Sequence, residues 1–170
     1  LRQIRVFLLL AVILLAGCGA PGTRTKSVRV APQTEFQSDF SASCGELSFG
    51  GSWNSKDTGC FVLSLQYPEA LTGTVYTCNG DAVTLTFGSQ TQAVNLGELP
   101  QEGLPRVLFE IFRACSAGQV LGDPVQQDGL WCFSGICIGK AFTLRTDDSG
   151  AVHSVSVEQA GLTVDFLSDE

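Results

Sequence analysis

One stretch of this chain, Leu104 to Cys115, spaces its apolar residues for a helix, while those around it mostly alternate two by two. Leu104, Val107, Leu108, Ile111, Phe112 and Cys115 recur at i, i+3, i+4, i+7, i+8 and i+11, which stacks them on one face of a helix. Pro105 suits the first turn, where its missing N–H has no partner to lose, and Gly118 suits the end. Arg106, Glu110 and Arg113 fall on the wet side, and Phe109 lies off the stripe. The spacing predicts one amphipathic helix over about 104–117.

On either side the period is two. Phe40, Ala42 and Cys44 alternate with Asp39, Ser41 and Ser43, and Phe61, Leu63 and Leu65 alternate with Val62, Ser64 and Gln66, the pattern of half-buried strands. Leu47 and Phe49 precede Gly50-Gly51-Ser52, and Val75, Val83, Leu85 and Phe87 mark two more strands around the tight-turn signal Asn79-Gly80-Asp81. Pro68 to Gly73 makes a further connection. After the helix a less regular stretch carries Gly122-Asp123-Pro124 and Asp128-Gly129. Strands are then predicted at 130–138, 141–146, 151–158 and 162–167, with Asp147-Asp148-Ser149-Gly150 turning a hairpin. The expected class is mainly β with one or two helices (α+β), an antiparallel meander with no internal repeat of 20–50 residues.

The N-terminal residues read as an address. Arg2 and Arg5 precede Val6 to Leu15, which carries no charge, and small residues follow, the layout of a secretory signal. Ten residues of helix reach about 15 Å, roughly half the hydrocarbon thickness, so a membrane span is excluded for this run. Leu15, Ala16, Gly17 and Cys18 together resemble the bacterial lipobox. That resemblance implies cleavage before Cys18 and a diacylglyceryl group on its thiol. The expected organisation is a signal peptide over 1–17, a lipidated tether over 18–34 and a single domain over 35–170. The partner it implies is the membrane, reached through the lipid anchor on the extracytoplasmic side. Gly19 is not the aspartate that retains such proteins at an inner membrane, so a double-membraned cell would carry this one on the outer membrane.

Charge separates tether from domain. Of 10 basic residues, Arg2 and Arg5 leave with the signal, and against 17 acidic residues the remaining chain carries −9. Arg24, Lys26 and Arg29 lie in the tether and leave the domain at −12. Phosphate recognition needs clustered positive charge, so nucleic acid is excluded as a partner of the domain. Assigning one of the 7 cysteines to lipid leaves Cys44, Cys60, Cys78, Cys115, Cys132 and Cys137. Six cysteines allow 15 pairings, which spacing does not resolve. In an oxidising compartment at least one disulfide is expected, with Cys132–Cys137, or Cys115 with one of that pair, favoured.

No familiar catalytic pattern is present in the sequence. The single histidine, His153, alternates with Val155 and Val157, as a structural histidine on an apolar face would. There is no C-x-x-C, H-E-x-x-H, G-x-S-x-G or phosphate-binding loop. Asp147 and Asp148 form an acidic pair, but in a turn, where solvated carboxylates are ordinary. No catalytic residue, metal or cofactor is implied, and a non-catalytic protein is expected, with an unrecognised envelope hydrolase as an alternative.

The lipobox, the strand meander, the single helix opening near a proline and the closing hairpins together resemble the LolA/LolB-like lipoprotein fold over about 35–167. Pro68-Glu69-Ala70-Leu71-Thr72-Gly73 is similar to a P-x-x-L-x-G stretch of that family, and the small lipidated chain is similar to clostridial envelope lipoproteins. The resemblance implies a curved half-barrel wrapped on the helix. It gives the face of Leu104, Val107, Leu108, Ile111 and Phe112 two roles, wall of an apolar ligand cavity or closed core. A membrane-anchored envelope protein acting as a binding or partner module is the first expectation. A lipid- or acyl-chain-binding lipoprotein is the second, and permanent tethering argues against a free shuttle.

Overall fold

A computed structural model describes residues 31–57, 59–119 and 121–167. The lipobox, the signal run and the tether up to residue 30 lie outside the described residues. Eleven strands form one antiparallel sheet: β1 (Phe36–Cys44), β2 (Leu47–Asp57), β3 (Cys60–Tyr67), β4 (Thr74–Asn79), β5 (Ala82–Phe87) and β6 (Gln90–Asn95) before the helix α1 (Leu104–Ser116), then β7 (Leu121–Gln127), β8 (Leu130–Cys137), β9 (Lys140–Thr146), β10 (Val152–Val157) and β11 (Leu162–Leu167). The strand order is β6-β5-β4-β3-β2-β1-β11-β10-β9-β8-β7. The chain therefore starts in the middle of the sheet, walks to one edge, crosses by α1 to the other edge and returns until β11 pairs with β1, Ala42 opposite Val164. The result is a curved, open half-barrel of α+β class with α1 on its inner face.

Alternation decides that inner face. Phe40 and Ala42, Phe61, Leu63 and Leu65, Phe142 and Leu144, and Leu162, Val164 and Phe166 are buried along their strands, while the intervening residues face outward. Close backbone approach fixes two glycines. A Cβ at Gly51 would stand 1.9 Å from the Ser64 carbonyl oxygen, where the β2–β3 register shifts. One at Gly135 would stand 2.3 Å from the ring of Phe142, which packs over that bare backbone.

α1 ends in a Schellman motif. Gly118, at φ +68, donates its N–H to the Cys115 carbonyl, and Gln119 donates to that of Ala114. Its buried residues are Leu104, Val107, Leu108, Phe109, Ile111, Phe112 and Cys115. Phe109 is thus core rather than off the stripe. At ~100° per residue the predicted stripe covers roughly 140°, and Phe109 widens the buried arc to roughly 200°. A curved sheet encloses more of a helix than a flat one, so the sequence stripe understates the contact. On the remaining wedge Arg113 binds Asp81 at 2.6 Å and Glu110, holding the helix against the β4–β5 turn.

Two further expectations change. The irregular stretch after α1 contains β7, whose register against β8 shifts between Leu121 and Val125; Gly122 and Pro124 hide it from pattern reading. No disulfide forms among the described residues, and Cys44, Cys60, Cys78, Cys115, Cys132 and Cys137 are all free thiols, which corrects the expected bridge. Cys132 and Cys137 share strand β8, so at ~3.3 Å per residue they stand roughly 16 Å apart, beyond the ~7 Å a disulfide tolerates. Burial pushes the thiol of Cys115 up to about 12 and those of Cys78 and Cys137 up to about 11, the behaviour of small apolar core residues.

Candidate binding pocket at the helix N-terminus

The inner face is filled at one end and open at the other. Toward the C-terminal half of α1, Phe109 and Phe112 enter a continuous aromatic cluster. Trp53 lies 5.4 Å from Phe61 and 4.7 Å from Phe112, and Phe61 stacks on Phe109 at 6.0 Å. Phe36 and Phe166 close the cluster at 5.5 and 5.8 Å from Phe112. Trp53, Phe61, Phe109 and Phe112 are at most 1% exposed, so this end of the half-barrel is solid core.

At the N-terminal end a pocket of about 180 Å³ remains, lined mainly by Phe49, Leu65, Leu71, Tyr76, Leu99 and Leu104 with the backbone of Gly103 and the ring of Pro105. Each wall has a local cause. Phe49 and Leu65 are inward positions of β2 and β3. Leu71 comes from a 3₁₀ turn over Glu69–Leu71, within the Pro68 to Gly73 connection. Leu99 follows a second 3₁₀ turn, Leu96–Glu98, which is held by a capping box in which the Asn95 side chain accepts from Gly97 N and Glu98 accepts from Asn95 N. Glu102 pairs with Lys140 of β9, tying the loop before α1 across to the other half of the sheet.

Arg106 also lines this pocket. Its Nη1 donates to the Gly97 and Leu99 carbonyls at 2.9 and 2.8 Å, while its buried Nε–H has no acceptor among the described residues. Beyond the mouth, two residues before Phe49 on the same strand and face, Leu47 is 63% exposed.

The residues picked from the helix stripe divide between these two ends. Leu104 lines the pocket, whereas Val107, Leu108, Ile111 and Phe112 are packed core. The other pocket walls include Phe49, read in the sequence only as a strand position, Arg106, read as wet-side, and Leu71 and Leu99, which sit in or beside connections and leave no periodic mark. Asp147 proves to be a turn-builder: its carboxylate accepts from Ser149 Oγ, Ser149 N and Ala151 N at 2.6, 2.8 and 3.0 Å. The Ser149 hydroxyl above all holds it below the usual carboxylate range. Asp148 accepts from Trp131 Nε1 at 2.9 Å. His153 does not share the apolar face with Val155 and Val157. A register shift between Val152 and Ser154 turns it out, half-exposed, with Nε2 3.8 Å from Asp147. Among the described residues no group of three or more His, Cys, Asp or Glu is placed to hold a metal ion, and no helix is long and apolar enough to cross a membrane.

No family model and no curated protein matches the chain, so the narrower likeness to clostridial envelope lipoproteins gains no support from them. Among solved structures the chain is similar to a LolA superfamily protein, NE2245, from Nitrosomonas europaea. The two share 9% identity at a TM-score of 0.43, over 82% of this chain and 87% of that one. It is also similar to LprF from Mycobacterium bovis, at 14% identity and a TM-score of 0.37, over 78% of this chain and 84% of that one.

Proposed function

We propose that the chain is an extracytoplasmic lipoprotein, anchored through Cys18, that acts as a non-catalytic binding module with its site at the N-terminal end of α1. The observation that carries this reading is the pocket itself. It is apolar and bordered by exposed Leu47. An apolar depression with few polar groups is the usual form of a recognition site. Its size selects the occupant. A space of about 180 Å³ is below the ~300–1,000 Å³ of typical small-molecule sites, and suits one or two side chains of a protein partner.

Pull-down from envelope extracts tests the partner. The unaltered protein is expected to recover a reproducible partner that a Leu71→Arg variant loses, and equal recovery by both would remove the pocket from the interaction. Palmitate labelling lost in Cys18→Ala is the expected result for the anchor; labelling that persists overturns it.

A second reading, acyl-chain binding, is favoured by the apolar lining. At ~30 Å³ for each small group, the pocket takes about six methylenes. A whole acyl chain would therefore require α1 to move. Mass spectrometry of lipids co-purifying with the protein decides this reading, which a lipid-free protein that takes up no labelled fatty acid would exclude.

A further inference from the structure

The two edges of the sheet are treated differently by the sequence. Edge strand β7 carries Asp123, Pro124 and a shifted register, three devices that stop another strand from pairing. Edge strand β6 reads Gln-Thr-Gln-Ala-Val-Asn, with no charge and no proline, and pairs with β5 in unbroken register from Gln90 to Asn95. It is also long enough to template another strand, and five of its six residues are exposed. Between Thr74 and Asn95 the only ionisable charge at neutral pH is Asp81, although the domain as a whole is strongly acidic.

The orientation of the open edge follows from the hairpin. The two-residue turn Gly88-Ser89 makes Phe87 and Gln90 a hydrogen-bonded pair. Alternation then gives Gln92 and Val94 to β5 and turns the N–H and C=O of Thr91 and Ala93 outward. Beside this edge the inner face is bare. Val83 and Leu96 are buried, but Phe87 is 51% exposed. A groove of about 490 Å³ lies over Leu85, Phe87, Gln90, Thr91 and Gln92.

We propose that β6 pairs antiparallel with β6 of a second copy of this chain, joining the two sheets about a two-fold axis at Gln92. The edge is self-complementary in that register. Thr91 and Ala93 of one copy meet Ala93 and Thr91 of the other, giving four backbone hydrogen bonds, and the two Gln92 amides, each both donor and acceptor, face each other at the axis. Gln90 falls opposite Val94 of the second copy, so the bare floor at Leu85 and Phe87 continues into the covered part of its neighbour's inner face. An uncharged edge lets two acidic domains approach where a charged one would repel them. The pairing uses the one unguarded edge of each copy and leaves only β7 edges, so it closes at a dimer rather than growing into a filament.

Sedimentation velocity of the full chain in mild detergent, over a concentration series, tests this. The unaltered chain and a Val125→Lys variant on β7 are expected to dimerise, while Thr91→Lys and Ala93→Pro remain monomeric with unchanged circular dichroism. Thr91→Lys keeps every backbone donor and so covers the case in which Ala93→Pro misfolds. Gln92→Cys is expected to form a disulfide between copies on oxidation that the unaltered chain does not form. An unaltered chain that is monomeric throughout, or a dimer that Thr91→Lys leaves intact, overturns the proposal.

Discussion

The two halves of α1 rest on the same inner face and are buried in different ways. Around Phe109 and Phe112 six aromatic rings interlock, each good pair adding about 0.5–1.5 kcal/mol beyond its buried area. Around Leu104 the walls are mostly aliphatic side chains and connections, with the separate rings of Phe49 and Tyr76, and they leave space. Aromatic rings from five separate elements can fill a converging volume. The loops that wall the other end have backbone hydrogen bonds of their own to satisfy and stop short of filling it. One half of the helix is thus a keystone, and the other is where a binding site can exist.

Substitutions sharpen that contrast. Phe112→Ala has the largest expected effect, a loss of about 3–5 kcal/mol, read from urea denaturation. Leu104→Ala should cost about 2 kcal/mol, the low end for a buried leucine, because its surroundings are already incompletely packed. Equal losses at the two positions would break the comparison. The same asymmetry predicts overpacking: Leu108→Phe should cost about 1–3 kcal/mol, while Leu104→Phe, beside free volume, should change the denaturation midpoint by less and abolish whatever the pocket binds.

Alkaline titration reaches both halves. The buried thiols of Cys78, Cys115 and Cys137 are raised, to about 11, 12 and 11, by desolvation. A group raised on folding favours the folded state below its unfolded value and loses that advantage above it. Stability should therefore fall as pH rises from about 8.5, the ordinary thiol value, toward the folded values. Cys44, Cys60 and Cys132 should be alkylated first in the native protein, as mass spectrometry would show; uniform labelling of all six would contradict the packing. Smallest is Arg113→Ala. It removes a partly exposed pair with Asp81 and Glu110 and should cost less than about 1 kcal/mol, measured by thermal denaturation.

Much of the fold was legible because burial is periodic. The stripe from Leu104 to Cys115 located α1, and alternation located most strands. Phe109 was misplaced, since periodicity describes a helix on a flat support and this sheet curves around it. β7 was missed because Gly122 and Pro124 spoil alternation where an edge strand needs guarding. His153 was placed on the apolar face because a one-residue register shift leaves no mark on the alternation of Val155 and Val157. Of the pocket, only Leu104 was named as a possible cavity wall, while Phe49 and Leu65 were read as strand positions. Leu71, Leu99 and Arg106 owe their positions to two 3₁₀ turns and a capping box, which converge only after the strands have paired.

The sequence by itself determined the α+β class and one amphipathic helix, because both are written in local order of apolar and polar residues. The tertiary structure alone decided that the described cysteines stay unbridged, that one end of the half-barrel is solid and the other hollow, and that β6 lies open while β7 is guarded. Those outcomes depend on distances between residues far apart in the chain, and such distances are set by the curvature and register of the whole sheet.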